Sequence, residues 1–199
     1  RRPPRTRSGA LVPVTSIDGG AGDDEVAAIA RSVADLDRSY LAVQGPPGTG
    51  KTYVGSHVIA RLVAERGYRV GVVAQSHATV EHMLDGVIAA GVPAGRVGKA
   101  PKDPGADHSF TVLPKNGVPA FAAENAAHGY VVGGTAWDFS HEGRIPRGSL
   151  DLLVIDEAGQ FSLASTIAVS LSSPRLLLLG DPQQLPQVSQ GTHPKPVDT

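Results

Sequence analysis

Hydrophobic positions along this chain follow two alternating patterns. Short, nearly unbroken apolar runs occur at residues 40–43, 69–74, 130–135, 150–155 and 175–179, the pattern of strands buried on both faces. Between them the apolar residues recur at helical spacing. Val26, Ile29, Ala30, Val33 and Leu36 share one face of a predicted helix over 23–36, with Asp23, Asp24 and Glu25 at its favourable N-terminal end. Val54, Val58 and Leu62 form a stripe over 53–66, closed by Gly67. Val80, Met83, Leu84, Val87 and Ile88 form another, stopped by Gly91 and Pro93. Residues 120–128 and 163–171 predict two further helices. Strand and helix alternating in this way predict an α/β fold, a three-layer sandwich around a mainly parallel sheet of at least five strands. Residues 93–119, rich in Gly, Pro and Lys, read as an irregular excursion without an assigned element.

The join between the first apolar run and its helix carries the sharpest local signal. Residues 45–52 read GPPGTGKT and fit the pattern G-x-x-x-x-G-K-S/T. A turn built on Gly45, Pro46, Pro47, Gly48, Thr49 and Gly50 can point successive N–H groups inward around an oxyanion, because glycine lacks the Cβ that forbids such curvature. The helix that follows adds the positive end of its dipole. Lys51 can then place an ammonium on the β- and γ-phosphates of a nucleoside triphosphate, and the Thr52 hydroxyl can ligate Mg²⁺. The plain alternative, a Gly/Pro turn with an exposed lysine, does not account for strand and helix both being in register.

Composition narrows the class. The chain has 199 residues, 41% hydrophobic and 19% charged, which is the balance of a globular domain. A net charge of −1 supplies no global field toward nucleic acid, so such binding would need a local patch. With no cysteine, disulfides, thiolate metal sites and cysteine catalysis are excluded. No apolar run approaches the about 20 residues that span a bilayer, so no membrane partner and a cytoplasmic location are the default expectations. Residues 1–22 hold four arginines among prolines and glycines and read as a terminus or linker.

Two acids close the fourth apolar run, Asp156 and Glu157, within DEAGQ (156–160). Carboxylates at the carboxyl end of a buried strand stand where α/β folds place ligand chemistry. With AQSHATV (74–80), GGTA (133–136) and GDPQQLPQV (180–188), the motifs occur in an order that resembles superfamily 1B helicases, the group that includes the nonsense-mediated-decay helicase. A narrower resemblance is to bacterial proteins that fuse a RecB-like nuclease to such a helicase.

The resemblance covers residues 23–190 and implies the first RecA-like, P-loop NTPase domain of an ATP-driven motor. It implies that Asp156 holds Mg²⁺, that Glu157 orients the attacking water, and that Gln184 senses the γ-phosphate of ATP. The strand before Gln184 is expected between those of the P-loop and of Asp156. Ser76, His77 and Thr135 match positions that hold the phosphates of single-stranded DNA or RNA, although His77 stands where the family more often has asparagine. Helix capping is an equal reading of Ser76 and Thr135. Gln160 reads either as a link toward the Gln184 motif or as a surface glutamine. Trp137 reads as a packed core edge in preference to a base-stacking platform.

Nothing after Gly191 resembles the motifs of a second RecA-like domain, so residues 191–199 read as the start of a linker to one. Alone, the chain is then expected to bind ATP with Mg²⁺, hydrolyse it very slowly and unwind nothing. A non-helicase P-loop NTPase and an ATP-switched nucleic-acid clamp are the alternative readings.

Overall fold

The computed structural model describes residues 23–46 and 48–181. Seven strands form one sheet: β1 (Ser39–Gln44), β2 (Arg69–Ala74), β3 (Val97–Lys99), β4 (Thr111–Val112), β5 (Tyr130–Thr135), β6 (Leu152–Ile155) and β7 (Arg175–Gly180). Their spatial order is β1-β7-β6-β2-β5-β3-β4, and each neighbouring pair is parallel. The expected α/β sandwich with a parallel sheet is therefore present, and β7 lies between β1 and β6 as anticipated.

Alternation along the strands sorts the core into two layers. Val70, Val72, Ala74, Val131, Leu152, Val154, Leu177 and Leu179 face one side. There they meet α1 (Asp23–Asp35), α2 (Lys51–Arg66) and α3 (His77–Ala89). Val73, Val132, Leu153 and Ile155 face the other, against α4 (Val118–Asn125), α5 (Ala136–Ser140) and α6 (Leu163–Ser170). Most of these side chains are fully buried, each contributing about 1.5–3 kcal/mol of transfer free energy. The chain steps outward across the sheet with helices on the first face and returns with helices on the second, as right-handed crossovers require.

Two of the seven strands lie in the stretch expected to be irregular. β3 and β4 are three and two residues long, too short for any periodicity, and only pairing makes them strands, β3 with β5 and β4 with β3. β3 also ends on Lys99, a residue no pattern assigns to a core. Its side chain is fully buried, donating to Glu81 Oε1 at 2.8 Å and to His77 Nδ1 at 2.9 Å, with the Phe110 ring 6.0 Å away. The pair satisfies a charge that would otherwise be costly to bury, and it pins the start of α3 to the sheet.

A second ionic link ties strand starts together. Arg69 donates from Nε and Nη2 to the two oxygens of Asp151, both at 2.8 Å, and its amide donates to the same carboxylate at 3.0 Å. Burial would raise the Asp151 carboxyl, but these bonds and the guanidinium charge outweigh it and hold it below its ordinary range. A carboxyl lowered by folding stabilises the fold above its unfolded value of about 4, and that stability is lost as pH falls through the lower folded value. Asp151→Asn should therefore destabilise the chain by about 1–2 kcal/mol at pH 7, the partial exposure of the pair reducing its worth. Urea unfolding at pH 7 and pH 3 should show that gap shrinking at the lower pH.

Candidate nucleotide cleft and strand-facing edge

Because the strands are parallel, their carboxyl ends open along one edge of the sheet. β2 hands its chain to α3 on one face while β6 hands its chain toward α6 on the other, and a crevice opens between them. It is a cleft of about 430 Å³, lined by Gly48, Lys51, Thr52, Ala78, Thr79, His82, Asp156, Glu157 and Gly180.

The loop forms one wall. Gly48 and Gly50 have φ of 81° and 79°, conformations that side chains other than glycine's rarely adopt. No side chain caps the N-terminus of α2, and its first turn carries no acid, so the amides there remain available to an anion. Thr49 folds inward, its hydroxyl donating to the Pro46 carbonyl at 2.8 Å. The Lys51 ammonium donates to the carbonyls of Gly45 and Pro46. The Gly45 amide donates to Gly180 O at 3.3 Å, fastening the loop to the end of β7. Pro47 lies outside the described residues.

The acids form the opposite wall. Asp156 is 5% exposed; burial is the main cause that pushes its carboxyl above the ordinary range, while the Glu157 amide, 2.9 Å from Oδ1, works against that. Glu157 occupies the left-handed region, φ 53° and ψ 41°, which turns its side chain off the strand line and into the cleft. Its Oε2 lies 3.5 Å from Thr79 Oγ1, the outer limit of a hydrogen bond. Thr79 Oγ1 is in turn 2.9 Å from Ser76 Oγ. Thr79 and His82 were not singled out by sequence; their position in the first turns of the helix after AQSHATV, facing the P-loop, is the signal that could have found them.

The backbone carbonyl of Gln160 accepts from Gln75 Nε2 at 2.8 Å, while the Gln184 motif, toward which its side chain reads as a link, lies past Asp181, outside the described residues; Gly159 lies against the end of β7. A Cβ on Gly159 would stand 2.7 Å from the Asp181 carbonyl oxygen, so only glycine allows the two segments to lie together. Gln184 lies outside the described residues.

Beyond the cleft, the same edge carries the three strand-contact candidates. Ser76 caps α3, accepting from the Thr79 amide at 3.0 Å. Thr135 donates through its amide and hydroxyl to Asp138 Oδ2, at 2.9 and 2.8 Å. The capping reading of both hydroxyls is thus what the geometry shows. His77 is half-buried; burial first, and then Lys99, lower its pKa, so the ring is neutral at pH 7 and presents Nε2 as a hydrogen-bond donor. Trp137 is not a packed core edge: it is 68% exposed. In the five residues of α5 Phe139 takes the core position, which leaves Trp137, two residues earlier, turned outward.

Among the described residues no helix is long and apolar enough to cross a membrane, and no group of three or more acidic or histidine side chains could hold a metal alone. A buried aspartate, Asp156, and a threonine, Thr52, lining the same cleft suit a hard cation that keeps waters and phosphate oxygens as its other ligands.

Residues 23–197 match a family described as an AAA domain. A DNA replication ATP-dependent helicase/nuclease of Arabidopsis thaliana is 27% identical over 157 residues, 78% of this chain and 12% of that protein. The UvsW helicase of bacteriophage T4 superposes with a TM-score of 0.54 at 11% identity, over 84% of this chain and 57% of that one. A nuclease-deletion mutant of the Type ISP restriction-modification enzyme LlaGI, in complex with a DNA substrate mimic, gives a TM-score of 0.55 at 16% identity, over 81% and 17%. The chain spans 12–16% of the length of the curated relatives it matches. The chain belongs to the AAA-domain family and has a RecA-like α/β P-loop fold.

Proposed function

We propose that this chain, over residues 23–190, is the ATP-binding and hydrolysing half of a superfamily 1B helicase or translocase that moves along single-stranded DNA or RNA. A second RecA-like domain of the same protein, linked through residues 191–199, completes it. A cytoplasmic, nucleic-acid-associated protein is the setting this reading fits, and the Arabidopsis relative's description favours a fused nuclease in the whole protein.

The observation that carries the reading is the chain of oxygens Ser76–Thr79–Glu157. It joins a hydroxyl on the strand-facing edge to a carboxylate in the nucleotide cleft. A kinase acting on a small molecule has no use for that connection, and a clamp without turnover has no use for Glu157.

Within the cleft, the loop amides and the start of α2 bind the phosphate chain, and Lys51 exchanges its carbonyl partners for phosphate oxygens. Mg²⁺, held by Thr52 and Asp156, would neutralise charge on the β- and γ-phosphates. Glu157 holds and orients a water by accepting its proton. Gln184, four residues past a strand that ends in the cleft, donates to the γ-phosphate and loses that partner after hydrolysis. Ser76, His77 and Thr135 contact the strand through its phosphates, for which the neutral ring of His77 is a donor and not a counter-charge. Such contacts carry no sequence information, as translocation requires.

Residues 1–199 alone should bind a fluorescent ATP analogue with Mg²⁺, and Lys51→Ala should abolish that binding. They should also turn ATP over very slowly, because an arginine from a partner domain is worth about 10³–10⁵ in rate in P-loop enzymes. Brisk nucleic-acid-stimulated turnover by this chain alone would overturn the division of labour. In the full-length protein, Glu157→Gln should lower stimulated turnover by about 10²–10⁴-fold while nucleotide affinity holds. Thr79→Val in the same protein should blunt stimulation by the strand about 10-fold, the scale of one lost hydrogen bond, without weakening ATP binding.

A further inference from the structure

Trp137 is the chain's one tryptophan, and the structure leaves its indole in the open. It borders a groove of about 540 Å³ whose lining includes His77, Pro101, Pro104, Pro114, Lys115 and Thr135. This is a different depression from the nucleotide cleft: His77 lines the groove, whereas Ala78 and Thr79, next along the same helix, line the cleft.

Several features make the indole a fixed platform. Phe139, two residues on, is buried in the core and anchors α5. Asp138, between them, is held by the amide and hydroxyl of Thr135 and by Arg144. Burial alone would raise the Asp138 carboxyl; those bonds and the guanidinium keep it below its ordinary range, and so ionised and engaged. A side chain presented by a turn that rigid loses little freedom when something packs on it.

The charge around the groove narrows what packs there. Asp138, its one acidic lining residue, is already neutralised by Arg144. Lys115 is exposed, and Lys102 stands near enough to His77 to help lower its pKa. An exposed π-face beside exposed lysines and flat proline walls suits a ligand that is aromatic and anionic at once.

We propose that Trp137 is a stacking platform for one base of the single strand, with the groove receiving that base and Lys115 the adjacent phosphate. This rests on the nucleic-acid motor reading and adds a contact that the hydroxyls of Ser76 and Thr135, already committed to capping, do not provide. Every base offers a π-face, so the contact grips without selecting sequence.

Because Trp137 is the only tryptophan, its emission reports on the site without a label. A 12-nucleotide oligo(dT) titrated into the chain should quench that emission. A strand of the same length and phosphate charge with abasic sugars should bind more weakly and quench little. Trp137→Ala should weaken oligo(dT) binding about 5- to 150-fold, leave the affinity for the abasic strand unchanged, and leave the salt dependence of both unchanged. Trp137→Phe should recover most of the loss. Bound oligo(dT) without quenching, or an alanine variant that weakens both strands equally or neither, overturns the platform and leaves the motor reading standing. Failure of the unaltered chain to bind either strand overturns both.

Discussion

A parallel sheet can offer its chemistry at only one edge, and this chain is arranged around that constraint. The candidate functional residues cluster at the carboxyl ends of strands: the P-loop follows β1, Ser76 and His77 follow β2, Thr135 ends β5 and Trp137 follows it, and Asp156 and Glu157 follow β6. Inserting β7 between β1 and β6 sets the distance across the cleft. The Gly45–Gly180 hydrogen bond and the close approach of Gly159 to Asp181 then hold the loop, the acids and the exit of β7 at fixed separations.

What the sequence makes readable follows from length and burial. The central strands are apolar on both faces, so residues 69–74 and 130–135 are bounded by their composition alone, and the observed limits agree. The P-loop and the acid pair are also readable, because glycines at that spacing and carboxylates at a buried strand's end serve few purposes besides holding phosphate and metal. β3 and β4 are not, since strands of three and two residues exist only through their partners. Lys99 misleads for a related reason: it reads as a loop charge, and only the folded chain brings Glu81 and His77 to it. Trp137 fails differently. Its size suggests a core, but in a helix of five residues one aromatic position faces inward, and Phe139 occupies it.

The hydroxyls of Ser76 and Thr135 show how a capping role is compatible with the phosphate contact proposed for them. A cap uses the side chain to satisfy backbone groups at a helix start, and that same helix start faces outward at the strand-end edge. Both residues therefore sit where a phosphate could approach the amides they help to orient. Ser76 also reaches Glu157 through Thr79, so anything that disturbs the cap is felt, through two oxygens, in the nucleotide cleft.

Glu157 carries a consequence for any effort to harden this protein. Its left-handed backbone costs a residue with a Cβ about 1–2 kcal/mol, which glycine would avoid and asparagine would reduce. A selection that rewards only heat tolerance would thus favour replacing the carboxylate, and under the role proposed for Glu157 the sturdiest descendants would be the ones that had lost their engine.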